Sequence, residues 1–174
     1  MVEAKKYIAK FVLLGDVNVG KTTLINKFIR GDQPVPASQA TLAPDFQTKK
    51  LTIDGREAML QIWDTAGQEK HSAMGFAFYR GTQVCILTFD LSSPESFGRL
   101  GYWKQNFLDQ AQPQNASTFP FIVVGNKNDL ERRVTSEQAQ AWCSQNGGYK
   151  YFETCATSGE GVINLFTASG REAI

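Results

Sequence analysis

The sequence predicts an α/β protein built on a six-stranded, mostly parallel sheet with one antiparallel strand and helices on both faces. Three observations carry that prediction. Apolar strand-like runs alternate with helical patterns along most of the chain, the signature of parallel strands joined by crossover helices. The first such junction holds Gly15-Asp16-Val17-Asn18-Val19-Gly20-Lys21-Thr22, a phosphate-loop pattern set between a strand and a helix, which is the context it requires. One pair of strand-like runs is joined by Asp54-Gly55, a strong two-residue hairpin signal, so that pair is antiparallel.

Each element has a local reason. Tyr7 to Leu14 is an apolar strand, and Lys21 to Arg30 reads as a helix. Gly31 to Pro44 holds three prolines and no periodicity, which predicts an irregular loop. Phe46 to Ile53 and Arg56 to Trp63 are the hairpin strands. Val84 to Phe89 is a continuous apolar run of the kind buried on both faces of a sheet. Ser93-Pro94-Glu95 starts a helix, with proline in the first turn and an acid near the positive end of the dipole. Phe119 to Gly125 is the fifth strand. Thr135-Ser136-Glu137-Gln138 forms a capping box before a helix through Trp142 and Cys143. Tyr149 to Thr154 makes a sixth strand and Val162 to Ile174 a last helix. No repeat, low-complexity stretch or linker interrupts the chain.

A chain of 174 residues fits one domain with a real core. The net charge of +1 gives no bulk attraction to nucleic acid or to an anionic membrane. Cys85, Cys143 and Cys155 form no CxxC and read as reduced thiols. The N-terminus lacks the apolar core of a signal peptide, Val2 excludes N-myristoylation, and no apolar run approaches a membrane span. These features predict a soluble, cytosolic protein.

The chemistry lies in four segments taken in order. In the first, Gly15 and Gly20 let the backbone turn its N–H groups towards a phosphate, and the helix that follows adds its dipole. Lys21 supplies a mobile cation for the outer phosphates, and the Thr22 hydroxyl can ligate Mg²⁺. Alone, the pattern also fits a glycine-rich turn with a solvated lysine. Asp64-Thr65-Ala66-Gly67-Gln68-Glu69 comes next, directly after a strand. There Asp64 is placed to hold Mg²⁺, Gly67 can bring a backbone N–H to a terminal phosphate, and Gln68 can orient a water with one donor and one acceptor. Asn126-Lys127-Asn128-Asp129 ends the fifth strand. The carboxylate of Asp129 can accept from the ring N–H and the amino group of guanine, whereas adenine would leave it unpaired. Lys127 can lay its stem over the base with its head in water. Finally, the Ala156 N–H in Glu153-Thr154-Cys155-Ala156-Thr157 could meet the base carbonyl.

With these motifs in this order, the chain resembles a Ras-superfamily small GTPase over essentially its whole length. Leu60-Gln61-Ile62-Trp63-Asp64-Thr65, Phe78-Tyr79-Arg80-Gly81 and Thr41-Leu42-Ala43-Pro44-Asp45-Phe46 are similar to segments diagnostic of the Rab family. Phe119 to Gly125 and Ala139 to Cys143 lean towards its late-endosomal and lysosomal branch. The resemblance implies a Ras-like P-loop NTPase fold and one G domain spanning residues 1–174. It implies a monomer that binds GTP or GDP with Mg²⁺, hydrolyses GTP slowly and regulates vesicular and endosomal traffic. The nucleotide would be held by Asn18, Val19, Gly20, Lys21, Thr22, Thr23, Thr41, Gly67, Asn126, Lys127, Asp129, Cys155, Ala156 and Thr157. The metal would be held by Thr22, Thr41 and Asp64, with Gln68 and Lys21 catalytic. Thr41 and its loop, and Ala66 to about Phe78, would be switches ordered by GTP. Effectors would meet those switches and the aromatic triad Phe46, Trp63 and Phe78, whose plainer reading is core packing. No arginine stands out as a finger in cis, so an activating protein and an exchange factor are implied.

Several positions depart from the family pattern. Valine stands at 17 and asparagine at 18, where Rabs carry a small residue and a glycine. Two readings of Val17 stay open: it crowds the site that Gln68 and an incoming arginine must reach, or the loop has repacked around it. No aromatic lies between Phe28 and Phe46, with Pro34 and Ser38 near the places where relatives carry one. Thr157 replaces a lysine near the base and Cys155 a serine. An aromatic contact is worth roughly 0.5–1.5 kcal/mol, so these losses predict weaker nucleotide retention. His71 stands where relatives often have an aromatic and is assigned no role. The terminal cysteines of Rabs are absent from this sequence; by the resemblance a prenylated tail on the native protein would place it on the cytosolic face of endosomal or vesicle membranes, and a genuinely unlipidated protein is the other reading. The rival reading is a module that holds or passively exchanges GTP and works by docking alone.

Overall fold

The computed structural model describes residues 6–33, 46–65 and 75–174, with the side chains of 75 and 76 excepted. The predicted residues Thr41, Gly67, Gln68 and His71, and most of both switch segments, lie outside the described residues. The elements run β1 (Tyr7–Leu14), α1 (Lys21–Arg30), β2 (Phe46–Ile53), β3 (Arg56–Asp64), α2 (Gly75–Tyr79), β4 (Val84–Asp90), α3 (Pro94–Gly98), α4 (Leu100–Ala111), β5 (Phe121–Asn126), α5 (Ser136–Asn146), β6 (Lys150–Glu153) and α6 (Val162–Ala173). A short 3₁₀ turn, Ala116–Thr118, precedes β5.

The strands form one six-stranded sheet in the order β2-β3-β1-β4-β5-β6. Among the described residues, only the β2–β3 pair is antiparallel. Its turn is made by Asp54 at φ 50° and Gly55 at φ 79°, the two positive values that a type I′ hairpin demands. Alternation along the central strands divides the core into two layers. Phe11 and Leu13 of β1, with Val84 and Ile86 of β4, pack under α1 and α6. Val12 and Leu14, with Cys85, Leu87 and Phe89, pack under α2, α4 and α5. A period of two on strands covered on both faces produces this split. The resulting P-loop NTPase architecture is the one expected.

The differences from expectation are local. The helix predicted from Ser93 is two helices. Ser93 caps α3 by accepting from the Ser96 N–H, but the chain breaks at Arg99 (φ −95°, ψ 0°) before α4 begins. Gly98 and Gly101 flank that break, and glycine is the weakest helix former after proline. The fifth strand starts at Phe121 because Pro120 has no N–H for the ladder, although its carbonyl accepts from Cys85. The capping box at Thr135 and Gln138 is present in both directions. Among the described residues, no helix is long and apolar enough to cross a membrane.

Candidate functional site

Those predicted nucleotide residues that the structure describes gather along the C-terminal ends of β1, β3, β5 and β6, the edge where open parallel sheets bind ligands. At the end of β1 the chain turns sharply. A Cβ on Gly15 would lie 2.1 Å from the Thr88 carbonyl oxygen, and one on Gly20 would lie 2.3 Å from the Asn126 amide nitrogen. Asn18 and Gly20 adopt left-handed backbone, at φ 68° and 100°. Gly20 precedes α1 with no side-chain cap, so the N–H groups of Lys21, Thr22 and Thr23 open on an uncapped, positive helix end. Lys21 is buried at 3% exposure, and its ammonium donates to the carbonyls of Gly15 (2.7 Å) and Asp16 (2.9 Å). The lysine therefore lies back over its own loop, where a phosphate would meet it.

Thr22 donates its hydroxyl to Asp64 Oδ2 at 2.6 Å, uniting α1 with the end of β3. Two hard oxygens this close are the donor set a divalent cation such as Mg²⁺ takes, so these residues fit the implied metal. The glycine cradle and buried lysine fit a phosphate equally well. Thr65, which the sequence reading left without a role, is buried and donates to the Leu13 carbonyl, locking β3 beside β1.

Asn126, expected among the nucleotide residues, is held between two other parts of the site. It is 1% exposed; its amide N–H donates to the Val19 carbonyl (2.9 Å) and its oxygen accepts from Thr154 Oγ1 (2.9 Å). It thus joins the phosphate loop, β5 and the segment after β6. Lys127 has two partners for its head that the motif does not announce. Its head is held by the Asn18 carbonyl at 2.6 Å and by Asp90 Oδ2 at 3.2 Å instead of standing free in water. Burial pushes the Asp90 carboxyl up, but hydrogen bonds from Ser92 and the Lys127 ammonium outweigh it and hold it below its usual range. Both ties bridge long sequence separations, which no local pattern signals.

Asp129, Cys155 and Thr157 line one cleft of about 670 Å³. Ala156 is buried beside it, and the Cys155 thiol lies 3.1 Å from Thr157 Oγ1. Hydrogen bonds from Ser158 and Thr157 lower that thiol's pKa against the opposing effect of burial. The Asn128 N–H donates to the Thr154 carbonyl at 3.1 Å, so the loop carrying Asp129 is anchored. Val17 is 53% exposed, so the side chain has not been absorbed into packing. Phe28, by contrast, is a core residue stacked on Phe166 at 4.2 Å.

The aromatic triad is formed. Phe46 stacks on Trp63 at 4.7 Å, and Phe78 meets Trp63 edge-on at 5.1 Å. Phe46 is 44% exposed while Phe78 is buried, so the group is core at one end and surface at the other. Lys10 places its ammonium 4.1 Å from the Trp63 ring centroid and donates to the carbonyls of Phe78 and Arg80.

In the wall of the same cleft, an ion pair that the sequence did not signal braces β6. Arg132 pairs with Glu153 through two 2.7 Å bonds, and Glu153 Oε2 also accepts from Tyr151 (2.6 Å) and Ser136 (2.9 Å). The Arg132 guanidinium, with Tyr151 and Ser136 overcoming burial, holds the Glu153 carboxyl at about 2, against an ordinary 4.5. A carboxyl depressed on folding adds stability above its unfolded pKa that is lost as pH falls through the folded one. Wild-type protein should therefore lose thermal stability between about pH 4.5 and 2, and Glu153→Gln should flatten that slope. Melting temperatures across that window check this, and parallel curves for the two proteins would refute it.

Residues 10–174 match the Ras family sequence profile. The chain is 41% identical to the GTP-binding protein yptV5 of Volvox carteri, covering 100% of this chain and 86% of that one. It is 40% identical to the Ypt/Rab-type GTPase ypt7 of Pyricularia oryzae, with the same coverage. Identity to the Ras-related protein Rab-7a of Dictyostelium discoideum is 42%, again over 100% of this chain and 86% of the relative.

Proposed function

Because the chain belongs to the Rab family of Ras-superfamily small GTPases, nucleotide-binding switches in membrane traffic, we propose that it cycles between GTP and GDP with slow hydrolysis. Residues 1–174 act as one monomeric, cytoplasmic G domain, held on the cytosolic face of endosomal or vesicle membranes if the native protein carries a prenylated tail. The observation that best supports this is Asn126, whose amide ties the phosphate loop at Val19 to Thr154 beside the base cleft. Such a tie holds the phosphate and base subsites at a constant separation, which a nucleotide site requires and a mere glycine-rich turn does not.

Each residue then has a task. The N–H groups of Asn18, Val19 and Gly20 and of the first turn of α1, with the Lys21 ammonium, grip the phosphates and stabilise charge as it moves to the leaving oxygen. Thr22 and Asp64, with Thr41, hold Mg²⁺, which when bound would neutralise the terminal phosphates. Asp129 selects guanine, with Cys155, Ala156 and Thr157 closing the base edge. Lys127, pinned at its head, presents its stem to the ring. Gln68 orients water, and Gly67 brings a backbone N–H to the γ-phosphate. Effectors read Phe46, Trp63 and Phe78 together with the switches, while an activating protein and an exchange factor supply speed.

Single-turnover hydrolysis of GTP by the purified protein tests this reading. A second reading, of a module that retains GTP and works by docking, is favoured by the exposure of Val17 at the phosphate loop. Its branched side chain is stiff at χ1 and stands where Gln68 and a partner's arginine would approach. Val17→Gly should raise hydrolysis about tenfold or more, since small misplacements at reacting groups cost up to about a hundredfold. Equal rates for the two proteins would show that valine is accommodated and favour ordinary cycling. GTP left intact by both proteins would establish the docking module.

A further inference from the structure

The phosphate loop carries an acid, Asp16, inside a site that must attract anions. Its carboxylate is turned away and held from outside by the start of α4. Arg99 Nε donates to Asp16 Oδ1 at 2.7 Å and the Trp103 indole N–H donates to the same oxygen at 2.8 Å. The Arg99 guanidinium lies 4.4 Å from the Tyr102 ring centroid and 5.6 Å from that of Trp103, which orients it for the contact. The carbonyl of Asp16, meanwhile, accepts from Lys21 at 2.9 Å. One residue therefore links the phosphate lysine to α4, and the neighbouring Trp103 is itself buried in the core layer shared with α2.

We propose that Arg99, with Trp103, is a positioning residue for nucleotide binding: it neutralises and turns aside the Asp16 carboxylate so that the loop stays electropositive towards phosphate. Arg99 touches no reacting atom in this arrangement and acts through Asp16. Freed of its cation, the carboxylate would repel the nucleotide. The penalty is greater for GTP than for GDP, because GTP brings one more charged phosphoryl group to the loop. The Arg99 side chain is half-exposed and ion pairs at the surface contribute little to folding, so Arg99 should matter to the ligand more than to the fold.

This inference rests on the guanine-nucleotide reading above, and the experiment separates the two. Release of fluorescent GDP and GTP analogues is measured for the wild type, Arg99→Ala, Arg99→Gln and the double variant Arg99→Ala/Asp16→Asn. Arg171→Ala serves as control, because it breaks another surface arginine–aspartate pair, with Asp54 in the β2–β3 turn away from the loop. Arg99→Ala and Arg99→Gln should each release the GTP analogue about five- to tenfold faster and the GDP analogue less so, as loss of a charge-assisted hydrogen bond near a ligand does. Adding Asp16→Asn removes the repelling charge and should restore release to within about twofold, whereas Arg171→Ala should change nothing. Normal wild-type binding with unaltered Arg99-variant rates would overturn the inference. So would equal acceleration for both nucleotides without rescue by Asp16→Asn. Failure of the wild type to bind either analogue would overturn the guanine-nucleotide reading itself, and this inference with it.

Discussion

Asp129→Asn is expected to weaken GTP binding by about 10²–10⁴-fold and to transfer preference to xanthine nucleotides. The carboxylate can accept two charge-assisted hydrogen bonds from guanine, each worth about 1.5–3 kcal/mol. An amide accepts one and presents a donor where the guanine amino group also donates, so a pair is replaced by a clash of donors. Xanthine carries a carbonyl at that place and accepts from the amide. The exchange is nearly isosteric, and Asp129 is exposed on a loop held by Asn128 N–H to Thr154 and by Leu130 N–H to Lys127. Thermal stability should therefore hardly move while specificity changes. Competition of GTP, XTP and ATP against a fluorescent nucleotide reads the outcome; an unchanged order of preference would remove Asp129 from the base site.

Gly15→Ala should damage both fold and site. A Cβ there would lie 2.1 Å from the Thr88 carbonyl oxygen and 3.2 Å from a Val19 methyl, with the backbone at φ 154°. The obstacle is main chain in β4, whose strand is buried on both faces, so it cannot swing aside as a flexible side chain would. Overpacking costs about 1–3 kcal/mol and an unfavourable backbone conformation a comparable amount. A combined loss of about 3–5 kcal/mol would lower the melting temperature of a chain this size by roughly 10 °C or more. Nucleotide binding should fall with it, because Lys21 anchors on the carbonyl of this same residue. A variant that melts with the wild type and binds GTP normally would mean that the loop moves as a unit away from β4. Gly55→Ala is the useful contrast: its φ is also positive but its Cβ would meet nothing within 4 Å, so only the conformational part of the cost should appear.

What could be read from the chain was what short-range chemistry controls. The Asp54-Gly55 turn, the Thr135–Gln138 box and the Ser93 cap depend on residues within three positions of each other, and each formed as expected. The aromatic triad came from the family resemblance, and the hairpin register brings two of its members together: Phe46 and Trp63 face each other across the β2–β3 pair. The break between α3 and α4 was missed because a capped start followed by an apolar period looks like one helix, and two glycines outweighed the pattern.

The succession of most strands and helices along the chain, the glycine-lined phosphate loop and the residue types able to meet phosphate, metal and guanine were determined by the sequence itself. Backbone geometry and side-chain chemistry act over a few residues, and that is the range a sequence displays directly. Only the tertiary structure decided what each polar group does with its second bond. It made Asn126 the tie between Val19 and Thr154, and drew the head of Lys127 onto Asn18 and Asp90. It also set Arg99 and Trp103 against Asp16, 83 and 87 residues away. A buried polar group must find a partner, but which one depends on strand order and helix packing, and those distances exist only once the sheet has closed.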